Sequence, residues 1–273
     1  MNLKTALAGK ISEWQLKGLK KSFDIIGDII IIEIPDDLAV YEKDIVDALK
    51  KTHPRVKTVC KKMGERKGIK RLRLLKVIYG SETETEHKEH GCRIRLDVKK
   101  VYFSPREGTE RERIGSWIKP KEKVLVMFSG VAPYALVGAR MQPQSTFVCT
   151  DINRDAVRYA EDNVRINHLQ EMVKNIHGDI KKVYKKLGKF SRIIMPLPET
   201  AYKHVDIAIE CCKKGGYIHL YGIGEKGDMF SDLEKRVEKA AKKSGRKIKV
   251  VRKRKVLPFA PGIYKVCLDL KVS

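Results

Sequence analysis

The sequence lacks the marks of membrane and secreted proteins. No apolar run approaches the roughly 20 residues that a membrane-spanning helix needs, and the N-terminus has no signal-peptide apolar core. No two cysteines have C-x-x-C spacing, which disfavours a zinc site or a disulfide framework, and His87, His90 and His219 show no metal-ligand spacing. We therefore expect a soluble, cytoplasmic protein with no bound metal, whose cysteines are small core residues: Cys60, Cys92, Cys149, Cys211, Cys212 and Cys267.

Acidic residues are few relative to basic ones. The 273 residues include 34 Asp and Glu against 58 Lys and Arg, a formal net charge of +24. Because the basic residues are spread through the chain, this balance favours a folded nucleic-acid binder over a globule with a disordered arm. A generally lysine-rich surface is the alternative. The basic stretches 61–73 and 242–255 are candidate phosphate-backbone tracks, or else solvated loop and edge-strand charge.

The apolar pattern divides the chain into two parts. Up to residue 103 it predicts a small α+β unit with a helix at 38–51 and strands within 22–35, 56–61, 72–79, 86–90 and 92–97. After Phe103 strands and helices alternate, which predicts an α/β fold with a parallel sheet and crossover helices. We expect domains at 1–103 and 104–273. The second contains strands at 124–130, 146–153, 173–177, 190–195, 217–224, 248–254 and 264–270 and helices at 154–167, 204–216 and 228–244.

Three strand ends of the second domain carry the pattern of a common cofactor site. Gly130 follows the first strand, Asp151 ends the second and Asp179 follows the third. A glycine turn lets the backbone approach a ligand, and an acid at the end of the second strand can hold two ribose hydroxyls, as in sites for NAD or S-adenosylmethionine. Ala132 occupies the second glycine position of the dinucleotide motif, and Pro133 lacks an N–H donor. We therefore favour S-adenosylmethionine.

A longer run of motifs carries a family resemblance. The segment HGCRIRLDVKKVYFSPREGTERERI (90–114) is followed in order by MFSGVAPYAL, DINRDAVRYAEDNVRIN, GDI and RIIMPLP. On these motifs the chain resembles, over residues 22–273, the archaeal and eukaryotic tRNA (guanine-37-N1)-methyltransferase family and its close wyosine-pathway relatives. The resemblance implies a Rossmann-like S-adenosylmethionine-dependent methyltransferase domain preceded by a small tRNA-contacting domain. It also implies methyl transfer to N1 of guanosine 37, beside the anticodon.

The resemblance extends to partners and to individual residues. We expect a monomer that acts on the tRNA anticodon stem-loop; many family members have a further N-terminal domain, for which this chain begins too late. Glu110 matches the family's proposed general base, and Arg71 matches the arginine that orients the target base, with Arg73 as the alternative two residues on. Arg111 is a further basic residue beside the site. The positions expected to line or flank the cofactor are Tyr102, Arg106, Phe128, Gly130, Asp151, Asn153, Asp179, Pro196 and Pro198.

Chemistry supports these roles, and other roles stay open. N1 of guanine loses a proton as the methyl arrives, so a nearby carboxylate suits a base, and an arginine donating to O6 stabilises the developing charge. Glu110 also fits a helix N-terminal pattern, and Asp151 fits a helix N-cap. Arg71 could contact phosphate or solvent instead, and Tyr102 and Phe128 could be plain core aromatics.

The strand end RIIMPLPET, residues 192–200, departs from the family pattern. Family members commonly have Asn-Leu-Pro, whereas Pro196 here has neither an amide nor an N–H group. We expect this segment to form the floor of a base pocket, with C7 methylation of a tricyclic wyosine precursor open as an added activity. The alternative function is the wyosine-pathway transfer of an aminocarboxypropyl group, which Asp151 and Pro-Leu-Pro disfavour. A non-catalytic RNA-binding module and an NAD-dependent oxidoreductase fit the cofactor pattern less well.

Overall fold

The chain divides into two compact units. A computed structural model describes residues 3–19, 22–68 and 72–273, without the side chains of residues 65–67. The first unit is Met1–Lys88 with Arg93–Pro105, and the second is Glu89–Cys92 with Arg106–Ser273. Across the described parts of both units, no helix is long and apolar enough to cross a membrane. The domain limits expected near residue 103 stay a prediction.

The first unit is an α+β structure built around a short, wholly buried strand. Its elements are α1 (Leu3–Leu7), α2 (Glu13–Gly18), β1 (Asp24–Ile26), β2 (Ile29–Ile32), α3 (Glu42–Thr52), β3 (Thr58–Lys67), β4 (Leu72–Tyr79), β5 (Glu84–Glu89) and β6 (Cys92–Asp97). The four-stranded sheet has the order β1-β2-β3-β4, and β2 pairs parallel to β3 because α3 forms the crossover between them. All four isoleucines of β2 are buried, and Ile30 and Ile32 share a core with α1, α2 and α3.

A glycine makes the tight turn between β1 and β2. Gly27 has φ +56°, and a Cβ placed there would lie 2.1 Å from the Thr85 hydroxyl and 2.6 Å from the Glu86 carbonyl oxygen. The same threonine hydroxyl donates to the Asp28 carboxylate at 2.6 Å. Only glycine fits this backbone without displacing its neighbours.

The second unit is a layered α/β structure. Its elements are α4 (Gly108–Trp117), β7 (Lys123–Met127), α5 (Pro133–Met141), β8 (Thr146–Asp151), α6 (Arg154–Ile166), β9 (Val173–His177), α7 (Ile180–Val183), β10 (Phe190–Met195), α8 (Val205–Cys211), β11 (Cys212–Glu225), α9 (Ser231–Ser244), β12 (Ile248–Ala260) and β13 (Ile263–Val272).

A seven-stranded sheet of order β12-β13-β11-β10-β7-β8-β9 forms its centre. Strands β7 to β11 are parallel, and β13 and β12 add antiparallel at one end, so β12 is an edge strand. The chain leaves β7 toward β8 on one side, and β10 lies on the other side of β7. Ligands of open α/β sheets bind at the carboxyl ends of strands where the strand order reverses in this way. The expected α/β, Rossmann-like class is confirmed.

The core explains why the parallel strands read as continuous apolar runs. Leu125 and Met127 of β7 and Ile193 and Met195 of β10 are fully buried in one cluster with β11, α8 and β13. Strands covered by helices on both faces bury residues of both orientations, which removes the alternating pattern. All six cysteines are buried free thiols, as expected.

One predicted element was wrong. The helix expected over 204–216 ends at Cys211, and Cys212 already belongs to β11, where it pairs with Phe190. Gly215 has φ +80°, and Gly216 lies where a Cβ would meet the Ser191 carbonyl oxygen at 2.7 Å. Two glycines weaken a helix, and this close approach favours a strand. Helices α1 and α2 did not emerge from the sequence either.

Candidate active site

The turn after β7 has an unusual backbone. Phe128, Gly130 and Ala132 all have positive φ values, of 54°, 55° and 64°. This region is costly for residues with a Cβ, and such strain clusters at functional sites. The turn ends at α5, where Pro133 occupies the first helical turn and needs no hydrogen-bond partner for its nitrogen.

Asp151 ties the first and second strand ends together. Its Oδ2 accepts from the Gly130 amide at 2.7 Å, and its Oδ1 accepts from the Asn153 amide at 2.8 Å. Burial raises the pKa of the Asp151 carboxyl, although these backbone donors oppose the shift. The predicted alternative of Asp151 as a helix N-cap is wrong, because Asn153 caps α6 by accepting from the Asp155 amide at 3.2 Å.

The third strand end joins the same edge of the sheet. The Gly178 amide donates to the Asp151 carbonyl oxygen at 2.9 Å, and Asp179 follows as the N-cap of α7. Asp179 accepts there from the Lys181 amide at 2.9 Å. The structure therefore brings together Gly130, Asp151, Asn153 and Asp179, as expected from their places in the sequence. Their contacts with a cofactor stay a prediction.

A histidine that sequence reasoning missed lies beside this edge. The His204 ring lies 5.2 Å from the ring of Phe128, centroid to centroid. Its Nδ1 is buried without a hydrogen-bond partner in the described structure, and burial, together with Lys181, lowers the pKa of the imidazole. In the sequence His204 is one polar residue within a predicted helix, so no local pattern marked it.

The Pro-Leu-Pro segment follows β10 at the reversal point of the sheet. Pro196 is half-buried and Pro198 is buried. The Leu197 carbonyl oxygen accepts from the Ala201 amide at 2.9 Å, which commits one of its two lone pairs to the turn. The segment offers an apolar surface and little hydrogen-bonding capacity, and its place as the floor of a base pocket stays a prediction.

Glu110 is buried and surrounded by donors. Its carboxylate Oε1 accepts from Arg113 at 2.6 Å and from the Tyr221 hydroxyl at 2.6 Å, and Oε2 accepts from the Arg113 Nε at 2.9 Å. The Arg254 Nε also lies 3.0 Å from Oε2, in an ion pair. Only 3% of Glu110 is exposed, and these donors hold its carboxylate in one orientation.

A chain of buried charges extends from Glu110 into the core. Arg113 donates to Asp269 at 2.8 Å, and Asp269 lies 2.6 Å from the Nδ1 of His219. His219 in turn contacts Arg192 at 2.8 Å, and Arg192 forms a two-bond ion pair with Glu122. Burial opposes ionisation of Asp269, but the hydrogen bond with His219 and the Arg113 guanidinium hold the pKa of its carboxyl well below the ordinary value.

His219, Cys267 and Asp269 are close enough to resemble a metal site. Their potential ligand atoms lie within 4.8 Å of one another, a grouping that spacing along the chain did not reveal. Arg113 already pairs with Asp269, and Arg192 contacts His219. Two guanidinium groups beside the ligands disfavour a cation there.

The remaining predicted residues have mixed outcomes. Arg111, expected to flank the site, is 2% exposed and binds the Glu89 carboxylate through two hydrogen bonds, so it has a structural ion pair. Arg106 is exposed in the turn before α4. Arg71 lies outside the described residues. Tyr102 and the alternative arginine, Arg73, line one small pocket of about 50 Å³ in the first unit.

Comparisons with known proteins match the chain in two segments that meet near residue 84. Residues 85–251 match the TRM5/TYW2 methyltransferase domain, and residues 3–83 match the TYW2 N-terminal domain. The chain is 41% identical over 256 residues to the tRNA (guanine(37)-N(1))-methyltransferase Trm5b of Pyrococcus abyssi, covering 93% of this chain and 76% of that protein.

Solved structures of Trm5 and TYW2 proteins also match this chain. The chain superposes on aTrm5 in its complex with tRNALeu with a TM-score of 0.89 and 32% identity, covering 100% of this chain and 78% of that one. Against M. jannaschii TYW2 in complex with AdoMet the TM-score is 0.72 and the identity 26%, covering 92% and 99%. With a domain match over more than half its length and this degree of identity, the chain belongs to the TRM5/TYW2 methyltransferase family.

Proposed function

We propose that this protein is an S-adenosylmethionine-dependent tRNA methyltransferase that methylates N1 of guanosine 37. The observation that carries the proposal is the hydrogen bond from the Gly130 amide to the Asp151 carboxylate at the carboxyl ends of β7 and β8, in a chain of the TRM5/TYW2 methyltransferase family. The 41% identity to a protein named for that activity supports this choice of substrate.

The strand ends fit S-adenosylmethionine. The Asp151 carboxylate accepts backbone hydrogen bonds from Gly130 on one oxygen and from Asn153 on the other, and its remaining lone pairs can accept from ribose hydroxyls. The Phe128 and His204 rings offer an apolar surface suited to a purine. A related structure that contains AdoMet supports the same cofactor.

Glu110 is the proposed base. Bound S-adenosylmethionine supplies a methyl group on a positively charged sulfur, and the C–S bonding electrons return to sulfur as the N1 electron pair forms the new bond. Glu110 accepts the proton that N1 loses, which keeps the guanine ring from accumulating positive charge. Burial and the donors from Arg113 and Tyr221 fix this carboxylate before substrate arrives.

The proposed partner is the anticodon stem-loop of tRNA, bound by a monomer in the cytoplasm. Strand β12 presents exposed Lys249, Arg252, Lys253 and Lys255 along the sheet edge. Backbone phosphates attract such a row without reading sequence. The complex of a related enzyme with tRNALeu supports this partner.

Two wyosine-pathway activities are alternatives. Pro196 supplies neither amide nor N–H group to a base, so a tricyclic wyosine precursor, methylated at C7, suits the site as an added substrate. Aminocarboxypropyl transfer at the same tRNA position is the second alternative, because the N-terminal residues match the TYW2 N-terminal domain.

One experiment separates these functions. The protein is incubated with labelled S-adenosylmethionine and, in separate reactions, with tRNA transcripts bearing G37 or A37 and with tRNA that carries the tricyclic precursor. The nucleosides are then identified by mass. We expect N1-methylguanosine from the G37 transcript alone. An aminocarboxypropyl product from tRNA that carries the tricyclic precursor would select the second alternative, and no N1-methylguanosine would refute the main proposal.

A further inference from the structure

The two oxygens of Glu110 are not equivalent. Oε1 accepts two hydrogen bonds, from the Arg113 guanidinium and the Tyr221 hydroxyl, both at 2.6 Å. Oε2 accepts one, from the Arg113 Nε at 2.9 Å. Arg254 lies 3.0 Å from Oε2, but its Nε makes no hydrogen bond in the described structure. Since an oxygen has two lone pairs, Oε2 keeps one that can receive a proton.

The groups that hold Glu110 differ in how firmly they are fixed. Tyr221 is fully buried on β11, and its ring packs against Tyr134 and beneath the Lys265 ammonium. Arg254, by contrast, has a side chain that is 32% exposed on the edge strand β12. Of these two neighbours, Tyr221 is held by packing on all sides, whereas the Arg254 side chain borders solvent and can change its rotamer toward it.

Arg113 is fixed from its far side. Its NH1 donates to the Oδ2 of Asp269 at 2.8 Å, while its Nε and NH2 hold Glu110. Asp269 is fully buried and lies 2.6 Å from the Nδ1 of His219. The guanidinium therefore bridges the carboxylates of Glu110 and Asp269, and neither carboxylate can rotate without breaking two hydrogen bonds.

We propose that Tyr221 and Arg113 are positioning residues for the methyl transfer, holding Glu110 so that Oε2 faces the N1 proton. The inference rests on the proposed function, in which Glu110 is the base. Arg254 covers Oε2 in the free protein and moves aside when the target base enters. Tyr221 acts through Glu110, because its hydroxyl donates to the oxygen that does not take the proton.

The test is a cycle of variants under single-turnover conditions. Tyr221→Phe keeps the buried ring and removes only the hydroxyl. We expect its methylation rate to fall about tenfold, since a hydrogen bond to a charged group is lost, with unchanged affinity for S-adenosylmethionine and tRNA. In a Glu110→Gln background the same change should cost nothing further, because a residue that acts through Glu110 has no effect once the base is gone.

A matched control lies on the same strand. Tyr217→Phe removes a hydroxyl that makes no hydrogen bond in the described part of the chain, and this variant should methylate at the wild-type rate. Equal rates for Tyr221→Phe and wild type, or equal cost of Tyr221→Phe in both backgrounds, would overturn the positioning role alone. Absence of N1-methylguanosine from the wild-type reaction would overturn the proposed function itself.

Discussion

Replacing Asp269 with asparagine should destabilise the second unit strongly. Asp269 is fully buried, accepts from Arg113 at 2.8 and 3.3 Å and lies 2.6 Å from His219. Asparagine keeps the shape but is neutral, so the Arg113 guanidinium, whose side chain is 8% exposed, loses one of the two carboxylates that it bridges and keeps only Glu110 of that pair. Removing one partner of a buried ion pair costs about 3–5 kcal/mol, because the other charge stays buried.

Urea denaturation and a thermal melt measure this loss. For a unit of this size about 3–5 kcal/mol corresponds to a fall in Tm of roughly 6–20 °C. The control is Asp232→Asn, which breaks an exposed pair with Arg236 at 2.7 Å and should cost no more than about 0.5 kcal/mol. A loss of stability below about 1 kcal/mol for Asp269→Asn would refute the reasoning, because the Arg113–Asp269 ion pair would then be accessible to water in the folded protein.

The pH dependence gives a second check on the same residue. The pKa of Asp269 is lower in the folded protein than its ordinary value. A lowered carboxyl pKa contributes stability above the unfolded pKa, and this contribution is lost as pH falls through the folded value. The stability gap between wild type and Asp269→Asn should therefore be full at neutral pH and narrow in strong acid. A gap that widened in acid would contradict the assigned ion pair.

Three further predictions concern the proposed activity. Glu110→Gln should lower the methylation rate by about 10² to 10⁴ while leaving the affinity for S-adenosylmethionine nearly intact; a collapse of that affinity, measured by calorimetry, would make Glu110 structural. Asp151→Asn should weaken S-adenosylmethionine binding by roughly 10- to 100-fold, because the amide nitrogen that replaces one carboxylate oxygen cannot accept from a backbone N–H or from a ribose hydroxyl. Unchanged binding would exclude the ribose role of Asp151. Replacing Lys249 and Lys255 with glutamine should reduce the slope of log affinity for tRNA against log salt by about 1 to 2, and an unchanged slope would remove β12 from the interface.

The sequence predicted best what local patterns determine. The parallel sheet followed from apolar runs bounded by glycine and charge, and Gly130, Asp151 and Asp179 met because carboxyl ends of parallel strands share one edge. The end of α8 was misplaced because the pattern through Cys212 stays helical, and only pairing of Cys212 with Phe190 shows where the strand begins.

The surroundings of Glu110 lay beyond sequence reasoning. Tyr221 is 111 residues away along the chain, and Asp269 is 156 residues from Arg113, so no periodicity relates them. His219, which shows no metal-ligand spacing in the sequence, is fully buried and hydrogen-bonded to Asp269. Its neighbours depend on how β11 and β13 pair, through the register His219 to Asp269. Register across a sheet is a tertiary property.

The position of β12 at the end of the sheet has a consequence for the protein at high concentration. An edge strand presents unpaired N–H and C=O groups that can template pairing with another chain, and β12 runs for 13 residues. Its exposed lysines and Pro258 oppose such pairing through repulsion between copies and through a missing donor. The charges proposed to contact an RNA backbone therefore also oppose aggregation of the protein when no RNA is bound. We expect variants that neutralise these charges to aggregate at lower protein concentration.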